Sequence, residues 1–283
     1  MTNALSFDIE EYFHAEVFAG VVRREQWDDL ESRVVRTTER LLEILDDVAV
    51  TATFFVLGWV AERHAGLIRR IAERRHEVAC HGYGHQMITR LTRAEFAADL
   101  ERAKATIEDA AGVAVIGYRA PTFSVVRETL WSLDLLVEAG FQYDSSIFPI
   151  VHDRYGIPDA PRFPYRTGAG LVEFPLSTVA RGRWRFPVAG GGYFRLLPYA
   201  LTGRAVRDIN GRDKQPAIVY LHPWEIDVDQ PRLPVGPIRR ARHYMNTGKT
   251  EAKLRRLLRD FRFAPVRTVL EKVGLVTAVG GVA

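Results

Sequence analysis

Asp8 and Glu10 stand two residues apart after the apolar run Ala4-Leu5-Ser6-Phe7. If the extended conformation persists through them, both carboxylates project to one face and Glu11 projects away. His81-Gly82-Tyr83-Gly84-His85 places two imidazoles at i,i+4. Its glycines argue against a helix, so the spacing predicts a loop curled to aim both rings at one point. Two histidines and one carboxylate hold a divalent cation while leaving positions open for water and substrate, the arrangement of a hydrolytic rather than a structural centre. Either carboxylate not used on the metal can serve as a base. Two further polar clusters, Tyr118-Arg119-Ala120-Pro121-Thr122 and Leu221-His222-Pro223-Trp224, follow apolar runs in the same way. Taken singly, each motif also has a plain reading: solvated loop acids, surface histidines, a structural ion pair for Arg119, a capping role for His222. Their concurrence is the signal. His14, His64, His76, His152 and His243 lack such company and are read as structural, and Cys80 as a small core residue facing away from His81.

The elements that must position these groups alternate from the start. Strands are expected at Ala4 to Phe7, Thr51 to Leu57, Glu77 to His81, Val113 to Tyr118, Phe141 to Tyr143, Leu171 to Phe174 and Ala217 to Leu221. Helices are expected over Ser32 to Val48, Ala61 to Arg75, Arg93 to Ala111 and Glu128 to Ala139, with Gly112 and Gly140 at C-cap positions. This β-α order implies parallel strands with crossover helices, and in such sheets active groups gather at the carboxyl ends of the strands, where all four clusters fall. The Pro-, Gly- and Arg-rich region from His152 to Gly192 reads as long loops over the rim of a barrel. No repeat, low-complexity tract or linker is visible, so residues 1–283 read as one domain, with catalytic motifs in 4–224 and a basic helical extension at 239–273.

The 283 residues, 47% hydrophobic and 26% charged, have the composition of a globular protein and exclude disorder, collagen and coiled coil. A single cysteine excludes an internal disulfide. No run of about 18 apolar residues and no secretion signal is read, and the expected location is cytoplasmic. Of the net charge of +4, the stretch from Arg239 to Lys272 carries +8, eleven cations against three acids, which leaves −4 elsewhere. Leu254, Leu257, Leu258 and Phe261 at helical spacing predict an amphipathic helix there, a wall of the barrel whose Lys253, Arg255, Arg256, Arg259 and Arg262 face solvent or an anionic membrane surface at the inner face. No nucleic-acid-binding motif accompanies the charge, and no nucleic-acid partner is expected.

Together the four clusters resemble the polysaccharide deacetylase family, carbohydrate esterase family four or the NodB homology domain, in type and in order: an acidic pair after the first strand, H-x-x-x-H, R-x-P, and a late strand ending in Leu-His. Gly190-Gly191-Gly192-Tyr193-Phe194-Arg195-Leu196-Leu197-Pro198 and Leu221 to Asp227 are similar to a bacterial branch associated with exopolysaccharide and exosortase loci. The resemblance implies an α/β fold, a distorted (β/α) barrel of about seven parallel strands. It implies Asp8 as general base, Glu10, His81 and His85 as metal ligands, His222 as general acid, Arg119 as the residue that orients Asp8, and the Thr122 N–H as an oxyanion contact. Pro121, Trp224 and Tyr193 would lie around the site or the substrate, and Asp144 would partner His222 or Arg119. Most of the family reads T-F-D-D where this chain reads Ser6-Phe7-Asp8-Ile9-Glu10, which leaves Glu11 as an alternative ligand. Zinc is the expected ion, with cobalt, manganese and nickel admitted by the same donors. The implied reaction is removal of N-acetyl groups from an acetylated glycan. Its rivals are hydrolysis of a small amide or ureide, as in allantoinase-like relatives, and non-catalytic glycan binding. Trp184, Phe186, Tyr193, Phe194 and Trp224 favour sugar stacking over the small amide.

Overall fold

The computed structural model describes residues 1–188 and 190–277 of the chain. Along it run β1 (Thr2–Ile9), α1 (Val34–Asp46), β2 (Thr53–Val56), α2 (Gly58–Arg63), α3 (Ala65–Glu73), β3 (Glu77–Cys80), α4 (Arg93–Ala111), β4 (Gly117–Tyr118), α5 (Ser132–Glu138) and β5 (Tyr143–Asp144). There follow β6 (Tyr165–Arg166), β7 (Val172–Glu173), β8 (Thr178–Arg181), β9 (Trp184–Pro187), α6 (Gly191–Leu196), α7 (Tyr199–Gly211), β10 (Ile218–Leu221), α8 (Pro237–Tyr244), α9 (Thr247–Asp260), β11 (Arg262–Ala264) and α10 (Val266–Lys272).

Period-two alternation along the strands divides the interior into two cores. In β1, Leu5, Phe7 and Ile9 join one cluster and Ala4 another, so Ser6 and Asp8 lie on the side of Ala4. The same split recurs in β2, with Phe54 and Val56 against Phe55, and in β3, with Val78 and Cys80 against Ala79. The first cluster also holds Leu41, Ile68, Phe96 and Leu100 from the crossover helices, whereas the second fills the concave side of the sheet with Tyr143, Phe174 and Ile218. Cys80 therefore sits in the helix-covered core, and its thiol pKa is pushed up by burial.

The sheet runs β10-β1-β2-β3-β4-β5-β7-β6, with β11 also paired to β1. All its pairings are parallel except β6 with β7. It curls into an open half-barrel, a NodB-like α/β fold, whose nine strands exceed the expected seven by β6 and β11. The segment from residue 239 is thus not a purely helical extension, because β11 registers Thr2 to Ala4 against Arg262 to Ala264. Near the open edge Gly190, at φ 150°, bridges Tyr220 so closely that a Cβ would lie 1.8 Å from the Tyr220 carbonyl oxygen.

Other departures have local causes. The helix expected over Ala61 to Arg75 is two helices, broken where His64 takes φ −132° and ψ 44°. In the rim region, Gly182 at φ 58° turns an antiparallel hairpin, β8 with β9, that a reading as loops missed. In α9, Leu254, Leu257 and Leu258 pack inward as expected. Its cations are largely engaged, however: Arg255 with Asp47 and Glu251, Arg256 with Asp260, and Lys253 Nζ with the carbonyls of Phe194, Arg195 and Leu197. The solvated cationic face expected on this helix is correspondingly reduced. No described helix is long and apolar enough to cross a membrane.

Candidate active site

Glu10, His81 and His85 each present one ligand atom within 4.8 Å of the others. β3 ends at Cys80, and Gly82 (φ 74°) and His85 (φ 51°) turn the loop back so that both rings face the end of β1. His85 Nε2 lies 2.8 Å and His81 Nε2 4.0 Å from Glu10 Oε2. That oxygen is fully buried and accepts no well-formed hydrogen bond. On the far side of the ring, His81 Nδ1 lies 2.7 Å from the Arg119 carbonyl, a contact that makes Nδ1 the donor and leaves the Nε2 lone pair facing Glu10. The Trp224 indole N–H donates to the other carboxylate oxygen, Glu10 Oε1, at 3.0 Å. Burial would raise the Glu10 carboxyl, but the cationic forms of His85 and His222 outweigh it and hold the pKa well below the usual range. His81 is pulled down to about 4, chiefly by burial, which keeps it neutral as a ligand must be. An orphaned carboxylate oxygen, two imidazole lone pairs and fixed outer partners fit a divalent cation.

Beside this cluster stand two groups suited to moving protons. Asp8 Oδ1 accepts from Arg119 Nη1 at 2.6 Å, which leaves Oδ2 turned toward His222 Nε2 at 3.7 Å. Arg119 is fully buried, held by Ser6 Oγ, the Ser145 carbonyl and Ser145 Oγ, with its guanidinium carbon 4.0 Å from the centre of the Phe55 ring. His222 is held from behind: its Nδ1 lies 2.7 Å from Glu225 Oε1, and Glu225 Oε2 accepts from Arg195 Nε at 2.6 Å. Burial alone would lower the His222 pKa, yet Glu10, Glu225 and Asp8 around it push it up to about 9, so it carries a proton at neutral pH. Burial likewise works against the Glu225 carboxylate, and the hydrogen bond from His222 and the charge of Arg195 overcome it, leaving the pKa lowered.

Several sequence expectations are revised. Asp144 is not the partner of His222: its carboxyl accepts from Ser146 Oγ at 2.5 Å and sits near Glu173, each with one buried oxygen left without a partner, and Arg119 acts on it through charge alone. Burial pushes the pKa of both carboxyls up, Asp144 to about 6. The role assigned to Asp144 falls to Glu225. Trp224 is no sugar platform, since it lies buried between the rings of His222 and His243, 4.9 and 4.3 Å away. Phe194 is buried, and Phe186 lines a separate apolar groove beside α7. Tyr193 lines a cavity of about 910 Å³ with Tyr155, Tyr220 and Arg242, which adjoins the site through Tyr220, whose ring centre lies 5.7 Å from that of His222. Pro121 is buried at the turn, and Thr122, in the left-handed region at φ 56°, lines a cavity of about 270 Å³ with Trp224. His14, read from the sequence as structural, is buried and accepts from the Glu11 N–H at Nδ1. Its buried ring stacks 6.1 Å from His85 between Trp27 and Trp59, and desolvation keeps it neutral.

Glu11 turns away from the cation cluster and serves the start of α1. Its carboxylate accepts from Ser32 Oγ at 2.5 Å and from the backbone N–H groups of Arg33 and Val34. Glu11→Ala should therefore leave metal content unchanged and lower unfolding stability by about 1–3 kcal/mol, the cost of orphaning buried donors. Metal analysis and urea denaturation check this, and loss of metal from Glu11→Ala would exchange the roles of Glu10 and Glu11.

Residues 26–143 match the polysaccharide deacetylase family. That part of the chain is similar to polysaccharide deacetylases. Residues 145–271 match a second family, a domain of unknown function, DUF3473, which takes in Asp144's neighbour Ser145, Tyr193, His222, Glu225 and the basic helices. The peptidoglycan deacetylase of Helicobacter pylori is 32% identical over 152 residues, 54% of this chain and 48% of that protein. The chain thus spans about half the length of that relative, and only 17% of a bifunctional xylanase/deacetylase from Pseudobutyrivibrio xylanivorans that is 31% identical over 100 residues. A Mycobacterium smegmatis crystal structure, of a protein assigned as a polysaccharide deacetylase, is 25% identical and superposes with a TM-score of 0.66 over 96% of this chain and 90% of that one. A Bacillus anthracis pseudoenzyme of carbohydrate esterase family four shares the fold at a TM-score of 0.51 and 15% identity, covering 95% of this chain and 65% of that one. Fold alone therefore does not imply turnover. In this chain that question rests on the side chains at the strand ends.

Proposed function

We propose that the chain is a metal-dependent hydrolase that removes N-acetyl groups from amino sugars of a polysaccharide or lipid-linked glycan. The observation that carries this reading is the pairing of a cation-ready cluster with a base and an acid held by separate partners: Asp8 by Arg119, and His222 by Glu225. A divalent cation held by Glu10, His81 and His85, zinc by the chemistry of the donors, would supply Lewis acidity toward the acetyl carbonyl and make water more acidic. The chain's own groups do the rest. Asp8 Oδ2, the oxygen not tied to Arg119, takes a proton from the water that adds to the carbonyl carbon. The Thr122 N–H, an oxyanion contact by the family resemblance, would donate to the carbonyl oxygen as it gathers charge. His222 Nε2 then gives its proton to the departing nitrogen, and the products are acetate and a free amine.

A glycan-binding protein without turnover has no use for an acid and a base poised 3.7 Å apart. Acetate release from a panel of N-acetylated oligosaccharides tests the proposal. The expected result is release that a chelator abolishes and added zinc restores. Release indifferent to chelator, or none from any acetylated glycan, would sink it.

A further inference from the structure

We infer that Arg239 and Arg242 form a subsite for an anionic group on the glycan, a phosphate ester or a carboxylate, beside the sugar that loses its acetyl group. This rests on the cleft being the glycan site. Both side chains lie one helical turn apart on α8 and, with His243, line the same cavity as Thr122 and Trp224. Arg242 also borders the larger space with Tyr193 and Tyr220. Of the acids lining that cavity, Glu16 is engaged by Arg90 at 2.7 Å, and Asp153, exposed beside His152, pairs with neither arginine. The buried arginine of this wall, Arg195, is matched by Glu225. Among the described residues Arg239 and Arg242 have no carboxylate partner, so the cleft presents two unpaired cations, next to Arg154 and the one exposed carboxylate of Asp153, to whatever enters it.

Their placement relative to the reacting groups is fixed. The carbonyl of Arg242 accepts from Arg195 Nη2 at 2.8 Å and that of His243 from Nη1 at 2.6 Å, while Arg195 Nε bonds the carboxylate that holds His222. His243 is buried, stacks on Trp224 and bonds Gln230 through Nε2. α8 is thus coupled through one guanidinium to the proposed acid, and an anion seated on its two arginines would hold the sugar in register with His222. The planar guanidinium suits bidentate contact with phosphate or carboxylate.

Calorimetry separates the sources and needs no turnover, so its outcome does not depend on the acetate assay. Three probes are compared: neutral N,N′-diacetylchitobiose, its reducing-end phosphate, and a disaccharide of N-acetylglucosamine and glucuronate. The wild type is expected to bind at least one anionic disaccharide about 10-fold more tightly than the neutral one at low salt, with the advantage fading as salt rises. Preference for the phosphate assigns the subsite to a glycosyl phosphate, and preference for the uronate to an acidic sugar. Arg239→Gln/Arg242→Gln should lose the preference while keeping the neutral affinity and the melting temperature, since both side chains are exposed. Equal binding of all three probes by the wild type, or a preference that survives in the double variant, would overturn the subsite.

Discussion

Asp8→Asn is expected to retain metal and fold while losing turnover by about 10²- to 10⁴-fold, the usual effect of removing a general base. The amide keeps the shape of the carboxylate, and its oxygen can still accept from Arg119 Nη1, where Asp8 Oδ1 now does at 2.6 Å. Arg119 also keeps its bonds to Ser6 Oγ, the Ser145 carbonyl and Ser145 Oγ, so the buried guanidinium is not left without partners. What the variant lacks is a free carboxylate oxygen to take a proton, since the amide nitrogen would occupy the position of Oδ2. Glu10→Gln separates the two acids of β1. It removes the orphaned anionic oxygen on which His81 and His85 converge, so metal should be lost along with activity. Metal content and kcat measured on both variants decide the matter. If Asp8→Asn loses metal and Glu10→Gln keeps it, the roles along the strand are reversed.

That Asp8 and Glu10 share a face which Glu11 does not was legible in the sequence because it depends only on strand geometry, whereas which of the two acts as base was implied by the resemblance alone. A period of two places Asp8 and Glu10 on the concave face and Glu11 off it, and the neighbouring Leu5, Phe7 and Ile9 confirm the phase by filling the opposite core. The loop from His81 to His85 was legible for a similar reason, since glycine at Gly82 permits the left-handed turn that brings the second imidazole round. The supports of these groups were not legible in the same way. Glu11 meets Ser32 and Arg33 across 21 and 22 residues of chain, and Arg195 meets Glu225 across 30, so no local period announces either contact. Glu225 had a local signal, three residues after His222 at the start of a short turn, where its carboxylate also accepts from the His222 N–H. Asp144 had the better position in the order of motifs, but tertiary packing set it against Glu173 instead. β11 is three residues long and amphipathic helix precedes it, so periodicity could not reveal that the basic segment re-enters the sheet.

His222→Ala should leave metal content near that of the wild type and slow amide hydrolysis by about 10²- to 10⁴-fold, because the leaving nitrogen must be protonated as its bond to the acetyl carbon breaks. An acetyl ester on the same sugar should lose less, since an alcohol departs with less help. The partner of His222 gives a finer test. His222 acts as a donor only while protonated, so activity should fall as pH rises through its pKa, raised to about 9. A divalent cation seated beside Glu10 offsets the pull of that carboxylate, and Glu225 and Asp8 are then the groups that sustain the raised value. Glu225→Gln removes the buried charge 2.7 Å from Nδ1, and the alkaline limb of the pH–rate profile should shift to lower pH. Arg195 keeps the carbonyls of Arg242, His243 and Met245 in that variant, so the wall of the cleft has reason to stay folded. A purely structural Glu225 would lower stability and leave the limb where it stands. Equal losses on amide and ester in His222→Ala, with an unmoved limb in Glu225→Gln, would remove His222 from the role of acid.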